Sequence, residues 1–124
     1  MEFISTEKAP CAIGPYSQAV KIGDLFFISG QIPLEPETME ITGNDIIEQT
    51  QQVLTNIENI LRSQGLFLSN IVKTTIYMSD MSNFVAMNEV YEKRLMGHKP
   101  ARATVEVSRL PKDVLIEIEA IATI

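Results

Sequence analysis

Arg102 is the leading candidate in the sequence for a residue with a chemical role. It follows a proline in the stretch KPARATVEV, at the start of an alternating β pattern, and no acidic residue lies beside it in sequence. A guanidinium can bind a carboxylate through two parallel hydrogen bonds, so Arg102 is a candidate for holding a small acid. The competing interpretation is a solvated surface arginine, which the strand pattern taken alone favours.

The closing segment VLIEIEAIA places two glutamates, Glu117 and Glu119, on one face of a predicted strand. Either carboxylate is a candidate general base for a water molecule, since like charges on one strand face favour a raised pKa. The pattern by itself does not choose between them. The structural alternative is an exposed pair of strand residues with no role in chemistry.

Other polar groups are candidates for the lining of a binding cleft. Tyr16 follows a Gly-Pro turn, and Ser29 precedes Gly30 at the end of a predicted strand. The missing side chain of Gly30 would let a carboxylate approach the backbone amide. Each residue also has a structural interpretation: packing for Tyr16, a strand end for Ser29 and Gly30, and a solvent-facing helix position for Asn88.

The counts of metal-binding and nucleophilic residues exclude several kinds of site. The 124 residues contain one cysteine, Cys11, and one histidine, His98. One chain therefore cannot form a disulfide or a structural zinc site with about four Cys or His ligands. A Ser-His-Asp triad would have to use His98 as its base.

Charge and hydropathy set further expectations. A net charge of -6 and a pI near 4.7 disfavour nucleic acid and acidic membranes as partners. No apolar run approaches the roughly 20 residues of a membrane span, and the first residues lack the pattern of a secretion signal. We expect a cytoplasmic protein whose residues 1–124 form a single domain.

The apolar pattern predicts the element order ββ, α, β, α, ββ. The run QAVKIGDLFFISGQI predicts two strands joined by a type II′ turn at Gly23-Asp24. An apolar stripe over Asp45–Gln64 predicts a first helix with Asn44 as its N-cap, and a stripe over Phe84–Leu95 predicts a second. This order fits a sheet covered on one side by two helices.

Alternation in the last three strands predicts the faces of the sheet. Val72, Thr74, Ile76 and Met78 share one face of the first of these strands. In the last two strands we expect the apolar faces to meet the helices: Ala103, Val105 and Val107, then Val114, Ile116, Ile118, Ala120, Ala122 and Ile124. If the last two strands pair as a hairpin, the opposite face mixes charged and apolar groups: Arg102, Thr104, Glu106, Leu115, Glu117, Glu119 and Ile121. Such a face needs a cover, and a second copy of the chain is the economical candidate.

Five segments follow one another along the chain: AIGPYSQAV, FISGQI, VKTTIYMSDMSNFVAMNEVY, KPAR and LPKDVLIEIEAIA. Together they resemble the reactive intermediate deaminase family, also called Rid or YjgF. The match runs from about Pro10 to Ala122. The resemblance implies a chorismate-mutase-like α/β (α+β) fold of the bacillus type, with a mixed sheet covered on one face by two helices. It also implies a homotrimer around a central barrel, with ligand clefts between subunits.

The activity implied by the resemblance is hydrolysis of 2-imino and enamine acids to 2-keto acids and ammonia, without metal or organic cofactor. The implied substrates are 2-iminobutanoate, 2-iminopropanoate and its enamine tautomer 2-aminoacrylate. The resemblance assigns the substrate carboxylate to Arg102 and water activation to Glu117. The other cleft residues that it implies are Tyr16, Ser29, Gly30, Asn88 and Thr104.

Two positions differ from the family pattern. Thr104 stands where the deaminase branch often has cysteine, and the loop after Tyr91 is short, with Arg94 where an aromatic is common. Hydrolysis of an imine by water needs no sulfur nucleophile, so we expect threonine to be tolerated.

The alternative function is a non-catalytic trimer that binds small 2-keto acids as a sensor or interaction partner. That function would need Arg102 but not Glu117. A nuclease function is disfavoured by the acidic composition and the single histidine.

Overall fold

The computed structural model describes all residues, 1–124. One six-stranded sheet carries two helices, and the predicted order of elements is confirmed with one additional strand at the N-terminus. Neither helix combines the length and apolarity that crossing a bilayer requires. The elements are β1 (Glu2–Ile4), β2 (Ala19–Ile22), β3 (Leu25–Gln31), α1 (Ile46–Arg62), β4 (Ile71–Met78), α2 (Phe84–Leu95), β5 (Ala101–Glu106) and β6 (Ile116–Thr123).

The strand order across the sheet is β1-β2-β3-β6-β4-β5. Strand β6 pairs antiparallel with both β3 and β4, whereas β5 pairs parallel with β4 at the edge of the sheet. The predicted hairpin between the last two strands is therefore wrong. The physical reason is the crossover through α2, which seats β5 beside β4 as a parallel neighbour and leaves β6 to insert between β3 and β4.

The predictions for the first hairpin and the first helix are largely confirmed. Gly23 has φ +56° and Asp24 has no positive φ, as a type II′ turn requires. Helix α1 begins after Asp45, whose carboxylate accepts a hydrogen bond from the backbone N–H of Glu48 at 2.8 Å. The N-cap is thus Asp45 and not the predicted Asn44.

The core lies between the helices and one face of the sheet. Two predicted positions are wrong: Val72 does not share the buried face of Thr74, Ile76 and Met78, and Ile124 does not face the helices. Val72 is 42% exposed, because the register between β4 and β6 shifts by one residue between Ile71 and Lys73. Ile124 lies past the end of β6 and is 66% exposed. The other predicted residues of β4 and of the β6 segment are buried: Thr74, Ile76, Met78, Val114, Ile116, Ile118, Ala120 and Ala122.

Strand β5 has the opposite orientation from the predicted one. Arg102 pairs with Thr74, which is buried under the helices. Since paired residues of neighbouring strands share a face, Arg102 and Thr104 face the helices, whereas Ala103 and Val105 face the uncovered side. The face of β5 that looks apolar in sequence is the one left open.

The uncovered face of the sheet exposes several large apolar side chains. Leu25 and Phe27 are 40% and 43% exposed, and Val105 is 44% exposed. Glu117 and Glu119 lie on the same face, as predicted, but Arg102 and Thr104 do not. An apolar patch of this kind is typical of an interaction surface.

We predict that the substitution Ile57→Ala lowers the free energy of unfolding by about 2–5 kcal/mol, because Ile57 is completely buried between α1 and the sheet. Ile47 lies on the same helix but is 49% exposed. Ile47→Ala should therefore change stability by no more than about 0.5 kcal/mol. Denaturant unfolding of the three proteins at one protein concentration measures both values, and equal losses would contradict the described packing of α1.

Candidate functional site

The candidate residues fall into two groups on opposite faces of the sheet. Arg102 is aligned with Thr74 of β4, and Glu117 is aligned with Tyr77. Thr74 and Tyr77 are three residues apart on one strand, so they point to opposite faces, and so do Arg102 and Glu117. We call the two groups the guanidinium half-site (Arg102, Phe84, Asn88, Tyr91 and Thr104) and the carboxylate half-site (Glu117, Tyr16, Ser29 and Gly30).

Helix α2 builds the floor of the guanidinium half-site. Arg102 donates a hydrogen bond to Asn88 Oδ1 at 2.6 Å. Its guanidinium carbon lies 5.0 Å from the ring centroid of Tyr91 and 5.6 Å from that of Phe84, which is within the range of cation–π attraction. Tyr91 is itself fixed by a 2.7 Å hydrogen bond with Thr74. The structure thus places Asn88 beside Arg102.

The two aromatic residues of this half-site were missed as functional candidates. In the sequence, Phe84 and Tyr91 belong to the apolar stripe of the second helix and carry no other signal. Their spacing with Asn88, at i, i+4 and i+7, puts all three on one side of α2. This spacing, on the side of α2 that faces the next strand, is the sequence signal that indicates them as candidates.

Arg102 differs from the other arginines in having no acidic partner. Of four arginines, it is the one with no carboxylate oxygen within 4.0 Å. Its charge is therefore free to pair with a carboxylate from outside the chain. The other ion pairs are Arg62 with Glu58, Arg94 with Glu58, and Arg109 with Asp113.

The short loop before β5 shapes a cavity of about 440 Å³ beside Arg102. His98 is half-buried in this loop, and its Nε2 lies 2.6 Å from the carbonyl oxygen of Ile71. Arg94 turns away from the cavity and donates to the side-chain oxygen of Gln51 at 2.8 Å. Thr104 Oγ1 is buried and has no hydrogen-bond partner within the chain.

The carboxylate half-site depends on a bulge in β3. The register with β6 runs from Ile28 opposite Ala120 to Gln31 opposite Ile118, so β3 has one extra residue there. The bulge brings Gly30 against Glu117: a Cβ at position 30 would lie 2.7 Å from Glu117 Oε2. A residue with a Cβ at this position would require the Glu117 side chain to move away.

Glu117 and Glu119 differ in their surroundings. The side chain of Glu119 accepts a short hydrogen bond from the hydroxyl of Tyr77, whereas Glu117 accepts none from the protein. Burial, and secondarily the neighbouring charge of Glu119, raises the pKa of Glu117 above its ordinary value. Glu117 is thus the uncommitted carboxylate of the two.

The remaining predicted residues lie around Glu117. Tyr16 is 53% exposed, and its hydroxyl oxygen accepts a weak hydrogen bond from the backbone N–H of Ile13 at 3.4 Å. Ser29 Oγ donates to the carbonyl oxygen of Ser17 at 2.6 Å, which leaves only its lone pairs for a ligand. One open cavity of about 500 Å³ is lined by four of the predicted residues, Tyr16, Ser29, Gly30 and Glu117. Glu119 and two residues that were not among the candidates, Ile32 and Pro111, complete its lining.

A mixed six-stranded sheet covered on one face by two helices is the chorismate-mutase-like α+β fold that the sequence resemblance implies. Residues 6–124 match the family described as Endoribonuclease L-PSP. The chain belongs to this family, whose members also carry the names RutC, YjgF and Rid. The resemblance found in the sequence segments is thus confirmed.

Individual relatives cover nearly all of the chain. A RutC family protein of Pyrococcus abyssi is 58% identical over 121 residues, which are 98% of this chain and 95% of the relative. The chloroplastic reactive intermediate deaminase A of Arabidopsis thaliana is 47% identical, over 99% of this chain and 66% of the relative. The crystal structure of E. coli TdcF with bound serine superposes with a TM-score of 0.95 at 43% identity, covering 100% of this chain and 99% of that one.

We predict that Glu117→Gln stabilises the protein at neutral pH. The raised pKa means that folding disfavours the ionised carboxylate, so removing the charge removes a cost. As the pH falls through the raised pKa towards the unfolded value of about 4.3, the native protein takes up its proton first and the advantage of the variant disappears. Thermal unfolding from pH 8 to pH 4, with Glu37→Gln as an exposed control, measures this difference. A less stable Gln variant at neutral pH would contradict it.

Proposed function

We propose that the protein hydrolyses small 2-imino and enamine acids, such as 2-iminobutanoate and 2-iminopropanoate, to 2-keto acids and ammonia. The observation that carries the proposal is the guanidinium of Arg102, which is held by Asn88 and two aromatic rings but left without a carboxylate. Such a group is suited to a small acid. Names and ligands of relatives agree with it: one is called a reactive intermediate deaminase, and another was crystallised with serine, which also carries a carboxylate.

The proposed active unit is a homotrimer with its sites between subunits. Arg102 and Glu117 lie on opposite faces of one sheet, so a site that uses both must take them from different copies of the chain. The apolar side chains on the uncovered face, among them Phe27 and Val105, supply surface for such contacts. A closed cyclic assembly satisfies every copy with one repeated interface.

In the proposed reaction, Arg102 of one subunit binds the substrate carboxylate and fixes the adjacent carbon C2. Glu117 of the neighbouring subunit takes a proton from a water molecule, whose oxygen forms a bond to C2 while the C=N electron pair moves to nitrogen. Glu117 then returns its proton to that nitrogen. With a protonated imine as the substrate, this nitrogen is now an ammonium group, so the C–N bond breaks and its electron pair leaves with ammonia. The hydroxyl group of the adduct gives its proton to Glu117, and its oxygen forms the C=O bond of the 2-keto acid.

The raised pKa of Glu117 suits this role. A carboxylate that is partly protonated nearer to neutral pH is a stronger base than an ordinary glutamate, and it gives its proton back in the second step. Gly30 contributes by leaving space beside the carboxylate, and its backbone N–H is the proposed second donor to the substrate acid. Tyr16, Ser29, Asn88 and Thr104 are the proposed remaining contacts.

A nuclease function, as in the family description, finds less support. The one histidine is His98, and its Nε2 is bound to a backbone carbonyl in the loop before β5. The net charge of -6 opposes binding of a phosphate backbone. The polar groups of the two half-sites are those expected for a small carboxylate ligand.

We predict that Glu117→Gln and Arg102→Ala separate catalysis from binding. Loss of the base should slow imine hydrolysis by about 100-fold or more while 2-oxobutanoate still binds. Loss of the guanidinium should weaken 2-oxobutanoate binding by about 10- to 100-fold and also abolish activity. The imine can be generated with a threonine dehydratase and its decay followed by absorbance, and binding can be measured by calorimetry.

Arg62→Ala and Glu37→Gln serve as controls, because both residues are exposed and lie outside the half-sites. Full activity in Arg102→Ala would contradict the proposal. Keto-acid binding without any acceleration by the unmodified protein, and without any effect of Glu117→Gln, would instead identify a sensor or interaction protein.

A mixing experiment tests whether the two residues act from different subunits. We predict that Arg102→Ala and Glu117→Gln, each inactive alone, regain activity when the two are unfolded and refolded together in equal amounts. If each site takes one residue from each of two neighbours, about one quarter of the sites in random trimers have both. The double variant Arg102→Ala/Glu117→Gln mixed with itself is the control. No recovery in refolded mixed trimers would place both residues in sites of one chain.

A further inference from the structure

The two carboxylates of β6 extend towards opposite neighbouring strands. Strand β6 lies between β3 and β4, and Glu117 and Glu119 stand on its uncovered face with one buried residue between them. On the β3 side, a Cβ at position 30 would lie 2.7 Å from Glu117 Oε2, so Glu117 extends towards Gly30. On the β4 side, Glu119 accepts the short hydrogen bond from the Tyr77 hydroxyl. The two neighbouring strands thus give two like groups different surroundings.

Tyr77 reaches Glu119 along a diagonal of the sheet. In the register of β4 and β6, the residue opposite Tyr77 is Glu117, and the residue opposite Glu119 is Thr75. An aromatic side chain can contact either the opposite residue or a diagonal one. Tyr77 makes the diagonal contact. Because a phenol has one proton to donate, that proton is committed to Glu119 and is not available to Glu117.

The phenol of Tyr77 remains a donor at and below neutral pH. Its hydrogen bond to Glu119 raises the pKa of Tyr77 above the ordinary value, and burial adds to this effect. A hydrogen bond donated to a carboxylate favours the charged form of that carboxylate. Tyr77 therefore stabilises a negative charge at Glu119.

Few other ionisable groups face Glu117. Its cavity is otherwise lined by two of them, Glu119 and Tyr16, while β3 has none and the turn before β6 contributes only a proline to the lining. Strand β4 has Tyr77 and Lys73 on the same face, and Lys73 forms no ion pair within 4.0 Å. Burial is the main cause of the raised pKa of Glu117, and the charge of Glu119 is the second.

We propose that Tyr77 and Glu119 are positioning residues for Glu117: Tyr77 binds one carboxylate of the pair and so selects the other as the group that carries the proton. This inference rests on the proposed function, because it names the groups that act on the proposed base. Without Tyr77, two interacting carboxylates on one strand face would share the proton. With Tyr77 in place, the fixed charge of Glu119 favours a proton at Glu117.

Glu119→Gln tests the contribution of the charge. An amide oxygen still accepts the hydrogen bond from Tyr77, so this variant removes the charge and keeps the contact. We expect Glu117 to ionise at lower pH, which moves both the NMR titration of its carboxyl carbon and the acid limb of kcat/KM for 2-iminopropanoate to lower pH. Glu37→Gln removes an equal charge from an exposed position and should move neither. An unchanged Glu117 titration in Glu119→Gln would overturn the inference.

Tyr77→Phe tests the selection between the two carboxylates. The ring remains and only the donor is lost. In the unmodified protein, the first proton taken up by the pair as the pH falls should appear in the carboxyl signal of Glu117. In Tyr77→Phe we expect this first step to be divided, so that the NMR signals of Glu117 and Glu119 move together. A first step that stays confined to Glu117 in this variant would overturn the inference.

The NMR titrations do not depend on catalysis, so they separate this inference from the proposed function. If the protein accelerates no imine but both variants change the titration of Glu117 as expected, the proposed reaction fails and the selection by Tyr77 stands. If imines are hydrolysed with Glu117 as the base but neither variant alters its titration or the acid limb, the reaction stands and the inference fails.

Discussion

The alternation of side chains along β-strands constrains the candidate site more than any other feature. Arg102 shares its face of the sheet with Thr74, and Glu117 shares the other face with Tyr77. No rotamer change brings these two groups together, because the full thickness of the sheet lies between them. A reaction that needs both must be carried out by more than one copy of the chain, and the proposed trimer is an assembly that meets this constraint.

Each half-site holds a charge that the chain itself does not neutralise. Arg102 is exposed and lies over the rings of Phe84 and Tyr91, which supply no counter-charge. Glu117 is partly buried and accepts no hydrogen bond from the protein, whereas Glu119 beside it is bound by Tyr77. A charge removed from water without a partner costs stability. A substrate that carries a carboxylate next to an electrophilic carbon would give each of these groups a partner.

Much of the framework follows from local patterns in the sequence. The apolar stripe of α1 and the turn at Gly23 each rest on contacts within a few residues, and the order of elements follows from them. The faces of β6 were also predictable, since one face of that strand is uniformly apolar. The N-cap at Asp45 instead of Asn44 depends on where the backbone of the helix starts, and the outward position of Val72 depends on a bulge. Residue types alone determine neither of these features.

The site was only partly predictable for a different physical reason. Its residues could be named from motifs, but their arrangement depends on long-range pairing: β5 joins β4 through the α2 crossover, and β6 enters between β3 and β4. Alternation in β5 distinguishes two faces without saying which one is buried. The usual rule, that the apolar face is buried, predicted that Ala103 and Val105 face the helices. That prediction was wrong, since Arg102 faces the helices and donates a hydrogen bond to Asn88.

The inverted polarity of β5 itself carries information about assembly. An edge strand that turns arginine and threonine towards its own helices and alanine and valine outwards is unfavourable in an isolated chain. The same arrangement is favourable when another subunit covers the outward face, since Ala103 and Val105 then become buried and the free charge of Arg102 borders the neighbouring chain. In the proposed trimer, the contact that buries Ala103 and Val105 would also bring the carboxylate half-site of one subunit towards the guanidinium half-site at the edge of the neighbouring sheet.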